Sequence, residues 1–285
     1  MKKIISLVLA VLMIAGMMTM LASCGDKTDF EKIEEKGEMV VGYTVYAPMN
    51  YYDANGDLEA DETGEFIGFD TELAKLVGEK LGVTIKFQLI EWGNKYAELN
   101  SNAIDCIWNG FTSNCADDDG VQRSDKVDFS KAYMDNAQCV VVKASDVASY
   151  TSAESLKGKV CAVEGGSAGA SYAVTVTTDD EAHIKKVSAQ IDAFTELKSG
   201  AVDFIVVDVL LANEMCGNGE YADLAKVTAI EIATEEYSIG FRKGSDFTAK
   251  VNEAIDKLAK NGELEKLADK YGLNLTEALA NLKEA

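Results

Sequence analysis

Three stretches of this sequence carry residue types that could do chemistry. Asp208 ends the run Phe204-Ile-Val-Val-Asp208, so a carboxylate sits at the tip of an apolar segment with no local reason for a charge. Asn109-Gly110 ends the run Cys106-Ile-Trp-Asn-Gly110 in a similar way. Gly165-Gly-Ser-Ala-Gly169 lies between an apolar run and a helical segment. Backbone N–H groups at such a helix start bind anions, and glycines allow close approach. A phosphate or a carboxylate fits there; a purely structural left-handed turn is the alternative. No Gly-Lys-Ser/Thr follows, so it is not a Walker A loop, and the dinucleotide Gly-x-Gly-x-x-Gly spacing is absent. The one histidine, His183, stands among charged residues as an exposed or packed side chain. Ser–His and Cys–His nucleophiles therefore lack support, and the carboxylates are too many to single out an acid–base pair. No catalytic residue is assigned. Asp117-Asp-Asp-Gly120 invites a calcium loop, but Cys115 and Lys126 occupy the positions where an EF-hand needs Asp and Glu. The segment from Ser113 to Lys126 reads as a solvated acidic loop, and no metal ligand is assigned.

The elements that must position these residues repeat. Ser101-Asn-Ala-Ile-Asp-Cys-Ile-Trp-Asn-Gly110 and Ser199-Gly-Ala-Val-Asp-Phe-Ile-Val-Val-Asp208 share one pattern. Tyr96-Ala-Glu-Leu99 and Phe194-Thr-Glu-Leu197 precede them at equal spacing. Each apolar run reads as a buried strand of an α/β sheet. Ligands sit at the carboxyl ends of such strands, so two lobes of similar design facing across a cleft are expected. Further strands are expected at Met39–Gly42, Val83–Ile90, Leu156–Val163 and Ala182–Val187. Helices are expected over Asp70–Leu81, Asn94–Asn100, Phe194–Lys198, Asp246–Asn261 and Glu263–Tyr271, with a hairpin turn at Asn55-Gly56. Apolar runs at Gln138–Lys143 and Tyr237–Phe241 suit two crossings between lobes. Lobe 1 is then discontinuous, 30–136 with 236–285, and lobe 2 spans 137–235.

The chain of 285 residues is long enough for one large core or two smaller ones. Its formal net charge is −21, and since Lys2 and Lys3 are the only charges before Cys24, the remainder carries −23. That argues against nucleic-acid binding, which needs a basic footprint. Cys106, Cys139 and Cys161 lie in apolar runs and read as buried thiols. Together with Cys115 and Cys216 they make an odd five after Cys24, so one disulfide at most would be unremarkable. The apolar stretch Ile4–Ala22 is about long enough to span a bilayer, but Leu21-Ala-Ser-Cys24 places small residues at cleavage-type positions.

That tetrapeptide resembles the lipobox of bacterial lipoproteins. The resemblance implies a signal peptide over 1–23, lipid on the thiol of Cys24, a tether over 24–29, and an exported protein held at the outer face of the cell membrane. A second resemblance covers about residues 38–272. Gly68-Phe-Asp-Thr-Glu-Leu73 with Val77 and Leu81 is similar to the signature of family 3 of bacterial extracellular solute-binding proteins, the amino-acid receptors of ABC importers. Tyr46-Ala-Pro48, Val127-Asp-Phe-Ser130, Leu156-Lys-Gly-Lys159 and Gly240-Phe-Arg-Lys243 add to it. It implies an α/β fold of the two-lobe, type II periplasmic-binding-protein kind with two crossing strands.

It also implies site residues. Tyr46 and Trp92 match aromatics that sandwich the ligand side chain, although both could be core aromatics. Asn109, Gly110 and Thr112 match the polar strand end that holds the ligand's amino and carboxylate groups. Ser167, with the N–H groups near Ala168 and Gly169, matches the carboxylate site of the second lobe; many relatives have threonine where Ala168 stands. Asp208 matches the acceptor of the α-ammonium. Arg123 matches the carboxylate-binding arginine, but the loop from Thr112 is longer than usual, which leaves its reach into the cleft open. An amino acid zwitterion needs one acceptor and several donors, and this set supplies both. The implied function is capture of a polar or charged amino acid and delivery to an ABC permease with its ATPase, without cofactor. Rivals are a dehydratase of aromatic amino acid precursors on the same fold, and a receptor that only signals.

Overall fold

The computed structural model describes residues 27–53, 64–177 and 181–284. The leader, Cys24 and Asn55-Gly56 lie outside them. The strands are β1 Glu38–Tyr43, β2 Tyr51–Asp53, β3 Glu65–Ile67, β4 Thr84–Leu89, β5 Cys106–Thr112, β6 Asp128–Phe129, β7 Met134–Lys143, β8 Cys161–Glu164, β9 Ile184–Val187, β10 Phe204–Asp208, β11 Leu224–Lys226 and β12 Thr234–Phe241. Among the helices are α1 Asp29–Lys36, α2 Phe69–Leu81, α3 Lys95–Asn100, α4 Arg123–Lys126, α5 Ala168–Val176, α6 Gln190–Ser199, α7 Val209–Met215, α8 Phe247–Lys260 and α9 Glu263–Tyr271.

The main sheet runs β4-β1-β5-β12-β7-β10-β8-β9. β1, β4 and β5 are parallel at one end, and β8, β9 and β10 are parallel at the other. Between them β7 and β12 run antiparallel, with Glu235 opposite Asn136 and Tyr237 opposite Met134. β7 then continues beside β10, where Asp208 faces Gln138. These are the two crossing strands. They start a few residues earlier than the apolar runs suggest, because the crossing segments Met134–Ala137 and Thr234–Tyr237 are mixed polar and apolar.

The two repeat strands, β5 and β10, are buried along their whole length. That is why both read as apolar runs rather than alternating ones. The predicted helices form with small shifts at their ends. α2 buries Leu73, Ala74 and Val77, and Gly82 ends it in the left-handed conformation. Residues Glu181–His183 form a 3-10 turn, so the strand expected from Ala182 starts at Ile184. The five described cysteines are free thiols.

The acidic loop is the clearest departure from expectation. Asp117 is buried, accepting from Arg123 Nε at 2.8 Å and Lys126 Nζ at 2.9 Å. Asp118 pairs with Lys186 at 2.7 Å and Asp119 with Lys126 at 2.8 Å. The loop folds because its own Arg123 and Lys126, with Lys95 and Lys186 from outside the segment, neutralise its carboxylates.

Candidate functional site

Asp208 sits at the carboxyl end of β10, and among the described residues its partners are neutral. Asn136 Nδ2 and Gln138 Nε2 each donate to its Oδ1 at 2.6 Å, and the Tyr237 hydroxyl donates at 2.8 Å. Gln190, at the start of α6, donates to Oδ2, and its Oε1 accepts from the Asp208 N–H at 2.9 Å. Since Tyr237 gives its proton to Asp208, the Tyr46 hydroxyl is the donor in the 2.7 Å Tyr46–Tyr237 bond. Burial pushes the Asp208 carboxyl up, and these neutral donors offset it in part. Glu235, on the crossing strand β12, accepts from the same two amide nitrogens and from Thr112 Oγ1 at 3.2 Å. Burial and the neighbouring Asp208 push it up to about 7.

Asp208 lines a narrow, nearly filled cleft with ≈ 10 Å³ of free space, together with Trp92, Asn109, Gly110, Thr112, Arg123, Ser167 and Ala168. That is room for about one water, well below the roughly 300–1,000 Å³ of open ligand clefts. Eight of the ten residues singled out in the sequence therefore meet at one place. Gly169 adjoins it. An added Cβ there would stand 2.7 Å from the Val206 carbonyl oxygen and 3.0 Å from Gln138 Oε1, so glycine lets α5 approach β10. Ser167 caps α5 by accepting from the Ala170 N–H at 3.0 Å. The first-turn N–H groups at Ala168 and Gly169 have no acceptor further back in the helix.

Tyr46 stands behind the cleft rather than in its wall. It is buried against Gly110, where a Cβ would come within 2.8 Å of its ring; Gly110 itself has φ +57°. Trp92 is in the wall, edge-on to Phe111 at 5.2 Å. The Asn109 amide is engaged within its own lobe, accepting from the Thr44 N–H and Asn50 Nδ2 and donating to Thr44 Oγ1. The Gly110 N–H donates to Asp70 at 2.8 Å. These two residues shape the cleft floor, while Thr112 presents its hydroxyl to Glu235.

Arg123 is fully buried and reaches the cleft despite the long loop. Its Nε donates to Asp117, NH1 to the Thr112 carbonyl at 3.0 Å, and NH2 to the Gly166 carbonyl at 3.1 Å. Lys95 Nζ also donates to the Gly166 carbonyl, at 2.9 Å. The first half of the chain thus grips the Gly-rich loop of the second. Ser171 Oγ donating to the Ala116 carbonyl at 3.0 Å and the Lys186–Asp118 pair add contacts at the rim.

Sequence reasoning missed Gln138, Glu164, Gln190 and Glu235. Glu164 had a readable signal, since it ends the apolar run Cys161-Ala-Val163 as Asp208 ends its own. The others are polar residues of unremarkable context, and only strand pairing brings them together.

Crossing strands and a cleft between two parallel-strand halves define a type II, two-lobe binding-protein fold, and solved structures agree. A Streptococcus pneumoniae ABC uptake transporter substrate-binding protein with bound histidine superposes with a TM-score of 0.70 at 30% identity, covering 87% of this chain and 97% of that one. An ancestral arginine-binding protein bound to arginine gives a TM-score of 0.72 at 32% identity, covering 82% and 98%. By sequence, the L-cystine-binding protein TcyJ of Escherichia coli is 29% identical over 282 residues, 95% of both chains. The model of bacterial extracellular solute-binding proteins, family 3, matches residues 39–274, and this chain belongs to that family. Its relatives are amino-acid-binding proteins of ABC transporters rather than enzymes.

Proposed function

We propose that the protein is a lipid-anchored extracellular receptor that captures an amino acid between its lobes and delivers it to an ABC permease with its ATPase. The lobes are bounded as 30–136 with 236–285, and 137–235. Asp208 receives the α-ammonium. Arg123, Ser167 and the N–H groups of Ala168 and Gly169 serve the carboxylate, and Trp92 covers the side chain. The observation that carries this reading is the setting of Asp208: a buried carboxylate, in a narrow cleft between the two halves, held by neutral donors among the described residues. A buried carboxylate gains most from a cation, and the ammonium of an amino acid supplies one beside a carboxylate that needs the donors opposite. Binding with lobe closure requires no chemistry, because the ligand favours the closed state by binding it better.

A thermal-shift screen of the common amino acids, followed by calorimetry, tests the reading. A ligand at a hundred times its dissociation constant stabilises by about 2.7 kcal/mol. A screen in which no amino acid moves the melting temperature would remove it.

A further inference from the structure

We infer that Glu164 selects, within this site, amino acids whose side chain carries a cationic nitrogen. The inference rests on the amino-acid reading and narrows it. Glu164 ends β8 beside Asp208, lines the cleft, and is 3% exposed. Its Oε1 is buried with no hydrogen-bonding partner. Buried carboxylate oxygens are costly unless paired, so this one awaits a donor.

The nearby cations do not supply it. Arg123 is held by Asp117 and the carbonyls of Thr112 and Gly166. Lys95 Nζ is held by the Gly166 carbonyl and lies 4.9 Å from the Trp92 ring centroid and 4.7 Å from that of Tyr96. The remaining charged groups that act on Glu164, Asp208 and Asp192, are carboxylates. Burial, with Asp208 adding to it, pushes the Glu164 carboxyl up to about 8. An entering cation would let it ionise.

A second observation concerns the charge nearby. A separate cavity of ≈ 380 Å³ is lined by Glu91 and Ala189, whose chain neighbours Trp92 and Gln190 line the cleft. Its lining includes the carboxylates of Glu91 and Asp192 and no lysine or arginine. Asp192 is also one of the carboxylates that act on Glu164, so the surroundings on that side favour a cation.

The test compares charged amino acids with neutral isosteres, L-lysine with L-norleucine and L-arginine with L-citrulline, by calorimetry on the purified protein. Wild type should prefer the charged member of at least one pair by about thirtyfold or more, the range of a hydrogen bond to a charged group. Glu164→Gln should collapse that preference to about threefold or less, whereas Asp208→Asn should weaken both members and keep the ratio. Wild type that binds a neutral amino acid in preference to its charged counterpart overturns the inference and leaves the amino-acid reading standing. So does a Glu164→Gln variant that folds and keeps the full preference. Wild type that binds no amino acid overturns both. The wild-type comparison needs no variant to fold.

Discussion

Asp208 and Glu235 share two donors: Asn136 Nδ2 and Gln138 Nε2 each donate to both carboxylates, at 2.6 Å to Asp208 and at 3.2 and 3.0 Å to Glu235. Two acidic groups from β10 and β12 are thereby bridged through β7 by neutral amides. Each carboxylate raises the cost of ionising the other. The pair sits where the crossing strands meet the cleft, so a ligand cation there would touch both strands that join the two halves.

Asp208→Asn should lower amino-acid affinity by about 3 kcal/mol or more, roughly a hundredfold. From the sequence alone, neutralising a strand-end carboxylate with no visible partner would leave the apo fold nearly unharmed. The structure changes that expectation: Asp208 accepts from four side chains, and an amide there turns a donor N–H2 group toward donors. A stability loss of about 1–3 kcal/mol is now expected for the apo protein. Calorimetry and denaturant melts measure the two effects. Glu235→Gln should cost less than about tenfold in affinity, because it removes a repulsive neighbour and keeps the acceptor. The reverse ranking would move the ammonium site to Glu235.

Arg123→Ala should leave Asp117 to Lys126, Tyr96 and the more distant Lys95, and weaken the grip on Gly166. Removing one partner of a buried pair costs about 3–5 kcal/mol, and here stability and affinity should both fall. Arg123→Lys keeps the charge but not the fork that reaches Asp117, Thr112 and Gly166 together. Its defect should lie mainly in ligand dissociation rate. Stopped-flow release and urea melts separate the two, and an Arg123→Ala protein with unchanged melting would show that the Asp117 network carries no stability.

Much of this arrangement was legible in the sequence. β5 and β10 announced themselves as apolar runs because they are buried on both faces, and their polar tips marked the cleft. Arg123 was singled out only through the family resemblance. What stayed hidden depends on pairing across the chain. Asn109 reads as a ligand contact until Thr44 and Asn50 are seen to occupy its amide. Asp118 reads as solvated until Lys186 of the other half pairs with it. Tyr46 reads as a cleft wall until its hydroxyl is found on Tyr237, one bond removed from Asp208.

The rim pair Lys186–Asp118 spans the two halves with the lysine half in solvent. Exposed pairs contribute about 0.2–1 kcal/mol and are screened by salt. Lys186→Ala should leave apo stability within error and speed ligand release by less than about fivefold at low salt. The difference from wild type should vanish near 1 M salt, where the Debye length is about 3 Å. Release rates measured against ionic strength check this, and a salt-independent difference would rule out a screened closure contact.

The apo protein should lose stability as pH rises from about 5 to 8. Burial raises four carboxyls, Asp70, Glu164, Asp208 and Glu235, above the ordinary range of about 3.9–4.3. Asp70 and Glu235 reach about 7, and Glu164 about 8. For Asp70 the Gly110 N–H, the Tyr133 hydroxyl and the nearby Trp108 indole only partly offset desolvation. A group whose pKa is raised on folding binds its proton more tightly in the native state. Its contribution is complete below the unfolded pKa, near 4, and is lost as pH climbs through 7 to 8. Asp29, Asp117 and Asp128 shift the other way, each held low by basic partners, and their contribution is lost only as pH falls below about 4. Between pH 5 and 8 the raised group therefore sets the slope. Melting temperature against pH for the ligand-free protein should fall across that window. Asp70→Asn and Glu164→Gln should each flatten the fall, since a neutral amide does not titrate. A melting temperature that holds steady or rises from pH 5 to 8 would mean these carboxyls are ionised in the folded protein at neutral pH. The cleft would then carry its negative charge before any ligand arrives.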